Sequence, residues 1–174
     1  MKHYPKAYIE YLLHFHGTRD YFECHEIMEE YWKETGFQKH WLALIQLAVA
    51  TYHERQGNIK GSLRMFQKVL AYLQVDKVAL SQIGIDVGTL ESIVNKRLNN
   101  LKKGGPYEPL NIPLADKDLI DLCKKQCGEQ NLTWCYVEDM EDKSLIFRHK
   151  LRDRTDVIHE RLSSLKQKER ERKG

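Results

Sequence analysis

Residues 41–52 narrow the fold more than any other stretch. Trp41, Leu42, Leu44, Ile45, Leu47, Ala48, Val49 and Tyr52 cover most of the circumference of a helix. A helix that is apolar on nearly every side has to be packed on several sides, so the pattern predicts a central helix with others around it. Glycines frame the segment: Gly36 closes a helix that Asp20 caps, and Gly57 closes the central helix over residues 37–56. A shorter helix over residues 4–15 precedes them, limited by Pro5 and Gly17. Asn58 can cap a fourth helix, whose stripe is Ile59, Leu63, Phe66, Leu70 and Leu73. After a less regular stretch over residues 75–85, read as one helical turn, Asp86 or Thr89 opens a fifth. Val87, Leu90, Val94, Leu98 and Leu101 then repeat at steps of three and four until Gly104-Gly105-Pro106 breaks the pattern. The reading is an all-α bundle of about five helices over residues 1–105.

Residues 106–174 have a different texture and read as a C-terminal extension. Pro109 and Pro113 extend the linker, and Asp116 caps a helix through Cys127 with Leu119, Ile120 and Cys123 inward. Residues 132–137 and 145–149 are rich in strand formers around an acidic turn, a pattern open to a small hairpin, a helix or a loop. Ile158, Leu162 and Leu165 mark a last helix that runs into Lys-Glu-Arg repeats. No fixed-period repeat argues for a solenoid.

Composition excludes several classes. At 174 residues with 41% hydrophobic and 30% charged side chains, the chain is neither collagen-like nor wholly disordered. It holds no apolar run near the roughly 20 residues that a membrane-spanning helix needs. His3, Glu10 and His14 interrupt the first 15 residues, unlike a secretory leader. Four cysteines without such a leader point to free thiols in a reducing cytoplasm. A net charge of +3 is too balanced to imply nucleic acid.

Chemistry concentrates in residues 21–32. On the helix expected there, one stripe holds Tyr21, Cys24, Met28 and Tyr31, and a second holds Phe22, His25, Glu29 and Trp32. Lying between two large aromatics, His25 and Glu29 are expected on a buried face, whereas Glu23, Glu26 and Glu30 point to solvent. Burying an unpartnered polar group costs roughly 2–7 kcal/mol, so both need partners. On the central helix Leu42, Gln46, Val49 and His53 share a stripe. If the two helices pack antiparallel, Gln46 or His53 can meet His25 and Glu29. Such a set is either a structural hydrogen-bond network or a functional site: a metal site using His25, Glu29 and His53, or an acid–base pair. The His-Glu-x-x-His and di-iron Glu-x-x-His patterns are absent, and so are phosphate-cradling glycine loops. A divalent metal is compatible with these residues, and no cofactor is required by them.

His25-Glu26-x-x-Glu29-x-x-Trp32, Leu44-Ile45-Gln46-Leu47-Ala48, Tyr52-His53 and Gly57-Asn58-x-x-Gly61-Ser62 together resemble a prokaryotic family, domain of unknown function 309. The resemblance covers roughly residues 8–103. It implies a small all-helical fold and a cytoplasmic location, with no assigned activity, substrate or cofactor. It places His25, Glu26, Glu29, Trp32, Gln46 and His53 at the family's signature positions.

Other residues read more plainly. Gly61 inside a helix suggests close approach of another backbone, and His16 and His40 read as surface residues. Cys123, Cys127, Cys135 and His149 lack the usual zinc spacing and suit small buried hydrophobes better. Residues 148–174 carry ten basic against five acidic residues, net +5. Arg148, Lys150, Arg152 and Arg154 could contact phosphates, but the interleaved signs that follow favour a solvated helix end over RNA. The favoured function is a non-enzymatic module binding a protein partner or a small ligand. An enzyme using His25, Glu29 and His53 is the competitor, and nucleic-acid contact the third reading.

Overall fold

The computed structural model describes residues 2–138. The chain folds as an all-α bundle. Among the described residues its elements are α1 (Lys6–Leu13), α2 (Tyr21–Glu34), α3 (Lys39–Gln56), α4 (Ile59–Val75), α5 (Lys77–Gln82), α6 (Val87–Lys102) and α7 (Lys117–Glu129), with a π-helical turn at His14–Thr18 between α1 and α2. Four side chains predicted to cap do so: Asp20 accepts from Glu23 N–H, Asn58 from Gly61 N–H, Asp86 from Thr89 N–H and Asp116 from Asp118 N–H. Each satisfies an amide that the first helical turn leaves without a partner. The stretch after α4 forms more than the single turn expected, because Ile85 pairs with Leu114 of the linker in an isolated antiparallel bridge that holds the end of α5.

Helix α3 is the central element, packed against α2 on one side and α4 on another, and α6 packs on α4. Trp41, Leu44, Leu47, Ala48 and Tyr52 are buried as its pattern requires. All five residues of the α6 stripe are buried as well. The inner face of α4 is rotated from the expected one. It buries Ser62, Phe66, Val69 and Leu73 and leaves Ile59 38% exposed. Ser62 is what permits the rotation, because its Oγ donates to the Ala50 carbonyl at 2.9 Å and seats the first turn against α3. Gly61 answers to the helix cap rather than to a neighbouring backbone: a Cβ there would lie 2.6 Å from Asn58 Nδ2.

Residues 106–138 complete the same core. Leu110, Ile112, Leu119, Cys123 and Cys127 join its hydrophobic cluster, and α7 lies against α1. Residues 132–137 are irregular, with Cys135 in the left-handed region at φ 58°, so of the hairpin, helix and loop alternatives this limb is a loop. The second limb, the last helix, and Arg148, Lys150, Arg152 and Arg154 lie outside the described residues. Among the described residues, no helix is long and apolar enough to cross a membrane.

Candidate functional site

The stripe of α2 that faces the core is Tyr21, Cys24 and Met28, and the second stripe is the outer one. This corrects the expected burial of His25 and Glu29, whose side chains are 29% and 36% exposed. The reason is the register of α1, which sets Tyr11 over α2: Cys24 Sγ donates to the Tyr11 carbonyl at 3.3 Å, while Tyr11 Oη reaches on to the Leu44 carbonyl at 2.7 Å. Phe22, His25, Glu29 and Trp32 therefore form a half-buried row along the rim of the bundle.

Within that row His25 Nε2–H donates to Glu29 Oε2 at 2.7 Å, and Lys33 Nζ approaches Glu29 Oε1 at 3.1 Å. The hydrogen bond from His25, with Lys33 adding to it, holds the Glu29 carboxyl down at about 2. Glu26 is exposed. The partners foreseen from α3 are placed differently. Leu42, Gln46, Val49 and His53 form their own half-buried row. Asn58 Nδ2 donates to His53 Nδ1 at 3.2 Å, which couples His53 to the α4 cap instead of to α2. Desolvation, with Arg64 nearby, lowers the His53 pKa and keeps the ring neutral. The helices do run antiparallel: Tyr31 packs edge-on to Trp41 at one end, and Phe22 meets Tyr52 at the other. Among the described residues, no hydrogen bond joins His25 or Glu29 to Gln46 or His53, and no group of three or more His, Cys, Asp or Glu could hold a metal ion.

The far end of the α2 row has a distinct chemistry. Gly36 and Phe37 end α2 in the left-handed region, and Phe37 N–H donates back to the Trp32 carbonyl at 2.9 Å. That six-to-one bond brings the Phe37 ring edge-on to Trp32, with centroids 5.0 Å apart. Phe37 is nevertheless 60% exposed, and a left-handed non-glycine residue costs about 1–2 kcal/mol. The Trp32 indole Nε1–H is buried and has no hydrogen-bond partner among the described residues.

A second polar cluster lies deep in the molecule. The π-helical turn swings His16 inward, so it is fully buried and not a surface residue. Its Nδ1–H donates to the Leu12 carbonyl and its Nε2 accepts from Ile112 N–H, both at 2.9 Å. That set of bonds fixes the neutral tautomer, and burial pushes the pKa down to about 3. Arg19 follows, left-handed at φ 57° and fully buried. Its guanidinium donates to the carbonyls of Phe15, Leu110 and Tyr136 and to Asn111 Oδ1. Arg55 Nη1 in turn donates to the Arg19 carbonyl at 2.7 Å and to Glu138 Oε2 at 2.6 Å. The Arg55 guanidinium also lies over the Tyr21 ring, 4.5 Å from its centroid. Tyr107 Oη donates to Glu138 Oε1 and shares a 2.7 Å hydrogen bond with Tyr21 Oη. Burial raises both phenols, Tyr21 to about 12 and Tyr107 further, so both remain protonated donors.

Sequence reasoning passed over this cluster, although one signal for it was present. Arg55 continues the buried stripe Trp41, Leu44, Ala48, Thr51 at helical spacing, so a charge on an inward face was there to be read. Arg19 and Glu138 lie outside regular helices and carry no periodic signal. Cys123 and Cys127 are buried as small hydrophobes while Cys135 is half-buried; desolvation pushes Cys123 up to about 12 and raises Cys127 and Cys135. His40, expected on the surface, is half-buried against Trp41.

Comparison with known proteins places these features in a family. The family model described as Domain of unknown function (DUF309) matches residues 8–65, which contain the α2 row, the π-helical turn and the whole of α3. The uncharacterized protein YpuF of Bacillus subtilis (strain 168) is 40% identical over 172 residues, spanning 97% of this chain and 99% of the relative. No solved structure matches the chain.

Proposed function

The chain belongs to the DUF309 family, and from the geometry of its α2 face we propose that it works by binding a protein partner rather than by catalysis. The observation that carries this reading is the Trp32–Phe37 pair. An exposed aromatic in a strained backbone conformation packs edge-on to a tryptophan whose buried indole N–H has no acceptor among the described residues. Strain of this kind persists where the surrounding structure gains from it, and aromatic residues with a polar tip are the usual anchors of interfaces. The partner's chemistry follows from the charge. Helix α2 carries Glu23, Glu26, Glu29, Glu30 and Glu34 against Lys33 alone, so a basic segment with an apolar side chain for Phe37 and an acceptor for Trp32 fits it. The enzyme reading has less support, because His53 is engaged by Asn58 and leaves His25 and Glu29 as a half-exposed pair closed by Lys33.

The test places a photo-crosslinking residue at Phe37 and, as a control, at the still more exposed Val78 of α5. Position 37 should give a discrete adduct in cells that position 78 does not. The crosslinked segment should be basic. Remade as a peptide, it should bind the purified protein about tenfold more weakly after Trp32→Phe, which removes the N–H and keeps the ring. Equal crosslinking at both positions, or an affinity indifferent to Trp32→Phe, rejects the proposal.

A further inference from the structure

Glu138 enters the molecule in an unusual way. The segment leading to it leaves α7 through Leu132 N–H to the Cys127 carbonyl and crosses the π-helical turn, where the Trp134 ring packs tilted against His16 with centroids 4.3 Å apart. Tyr136 N–H then donates to the His16 carbonyl at 2.9 Å. Tyr136 and Val137 are 40% and 75% exposed, yet the next side chain, Glu138, is 1% exposed. A single carboxylate is thus inserted from a surface loop into the interior.

The side chains that receive it come from outside that loop. Arg55 comes from α3, Tyr21 from α2, Tyr107 from the linker, and the Arg19 carbonyl orients the guanidinium from behind. Arg55 offers one carboxylate oxygen a charged donor and Tyr107 offers the other a hydroxyl, while the Tyr21 ring covers the guanidinium. Two directed donors on the two oxygens, inside a buried site, are the elements by which proteins recognise carboxylates. A buried guanidinium also makes a filled socket far more favourable than an empty one, so a departing carboxylate is best replaced by another.

We propose that Arg55, Tyr107 and Tyr21 form a carboxylate receptor for which Glu138 is the built-in ligand, and that a monocarboxylate or the acidic side chain of a peptide takes its place when Glu138 is withdrawn. Glu138 is tethered, so its effective concentration is high and a free ligand competes poorly with it in the native chain. The segment 132–138 is then a latch whose opening exposes the receptor.

The experiment uses the full chain with Glu138→Ala and thermal melts in sodium propionate, against propionamide in sodium chloride of equal ionic strength. Propionate should raise the variant's Tm on the order of 4 °C at a tenfold excess over its Kd, with no matching rise in wild type. Glu138→Gln, which keeps the socket filled, should not respond; a response equal to that of Glu138→Ala means binding elsewhere and overturns the proposal. N-acetylglutamate N-methylamide, run alongside, separates the two sources: a stronger response to it assigns the receptor to peptides, a stronger response to propionate to small acids. If Glu138→Ala does not fold, wild type supplies the readout. Amide exchange at Tyr136 should quicken in propionate as the opened latch is trapped, and exchange unchanged from the propionamide control overturns the receptor.

Discussion

Glu29 lies between a histidine one turn behind it and a lysine one turn ahead, and the order of the three decides what the trio is worth. The His25 hydrogen bond is the larger influence and Lys33 the smaller, and together they bring the carboxyl from 4.5 to about 2. A depressed carboxylate contributes stability that is complete above its unfolded pKa and is lost as pH falls through the folded one. The relevant window here is therefore pH 4.5 down to about 2. With 36% of the side chain in solvent, screening limits the contribution to about 1 kcal/mol at most. Urea unfolding of Glu29→Gln should show a loss of that size at pH 7 that disappears by pH 2. A loss of several kcal/mol would place Glu29 in the interior, contrary to its exposure. The same modest value is why this row is suited to binding: it can be rearranged by a partner without unfolding α2. Trp32 differs, because its N–H is already desolvated and gains an acceptor without losing water.

At the scale of helices, burial sets the hierarchy. Leu47 is fully buried on α3 between α2 and α4, whereas Ile59 opens α4 at 38% exposure. Leu47→Ala should cost about 2–5 kcal/mol and Ile59→Ala less than about 1, measured by denaturant midpoints at constant m. Equal losses would contradict the central placement of α3. These elements were legible in the sequence because periodicity, caps and glycine stops agree there: α6 and α3 appear as read, and Asp20, Asn58, Asp86 and Asp116 all cap. The choice between two stripes on α2 was not legible from α2 alone. Both stripes carry large aromatics, Tyr21 with Cys24 and Met28 on one, Phe22 and Trp32 with His25 and Glu29 on the other, and the contact from Tyr11 of α1 fixes which faces the core. The rotation of α4 has the same origin, since the Ser62–Ala50 bond is a tertiary contact to which an apolar pattern is blind. His16 escaped notice because a π-helical turn shifts the register by one residue, which a period of 3.6 does not anticipate.

Across the whole molecule, His16 and Arg19 join three stretches that are distant in sequence: the end of α1, the linker at Leu110–Ile112, and the loop at Trp134–Tyr136. Both residues act mainly through backbone groups, with the Asn111 side chain and the Trp134 ring as the side-chain contributions. His16 also ties this join to pH. In the folded chain it is neutral, its Nε2 occupied by Ile112 N–H, with a pKa of about 3 against 6.5 for an ordinary histidine. The unfolded chain therefore takes up the proton first. Stability from this residue is complete above pH 6.5 and is lost as pH falls from there towards about 3, at up to about 1.4 kcal/mol per pH unit. His40 and His53 are lowered in the same direction by burial, so wild type alone would sum several groups. His16→Gln isolates one of them, since glutamine does not titrate. At pH 7 the variant should be less stable than wild type because the Leu12 and Ile112 contacts are disturbed, and the gap should shrink steadily between pH 6.5 and 4 in urea unfolding. A gap that stays constant over that range would mean that His16 can take up a proton in place, and that the π-helical turn is open to water instead of sealed beneath the linker and the loop.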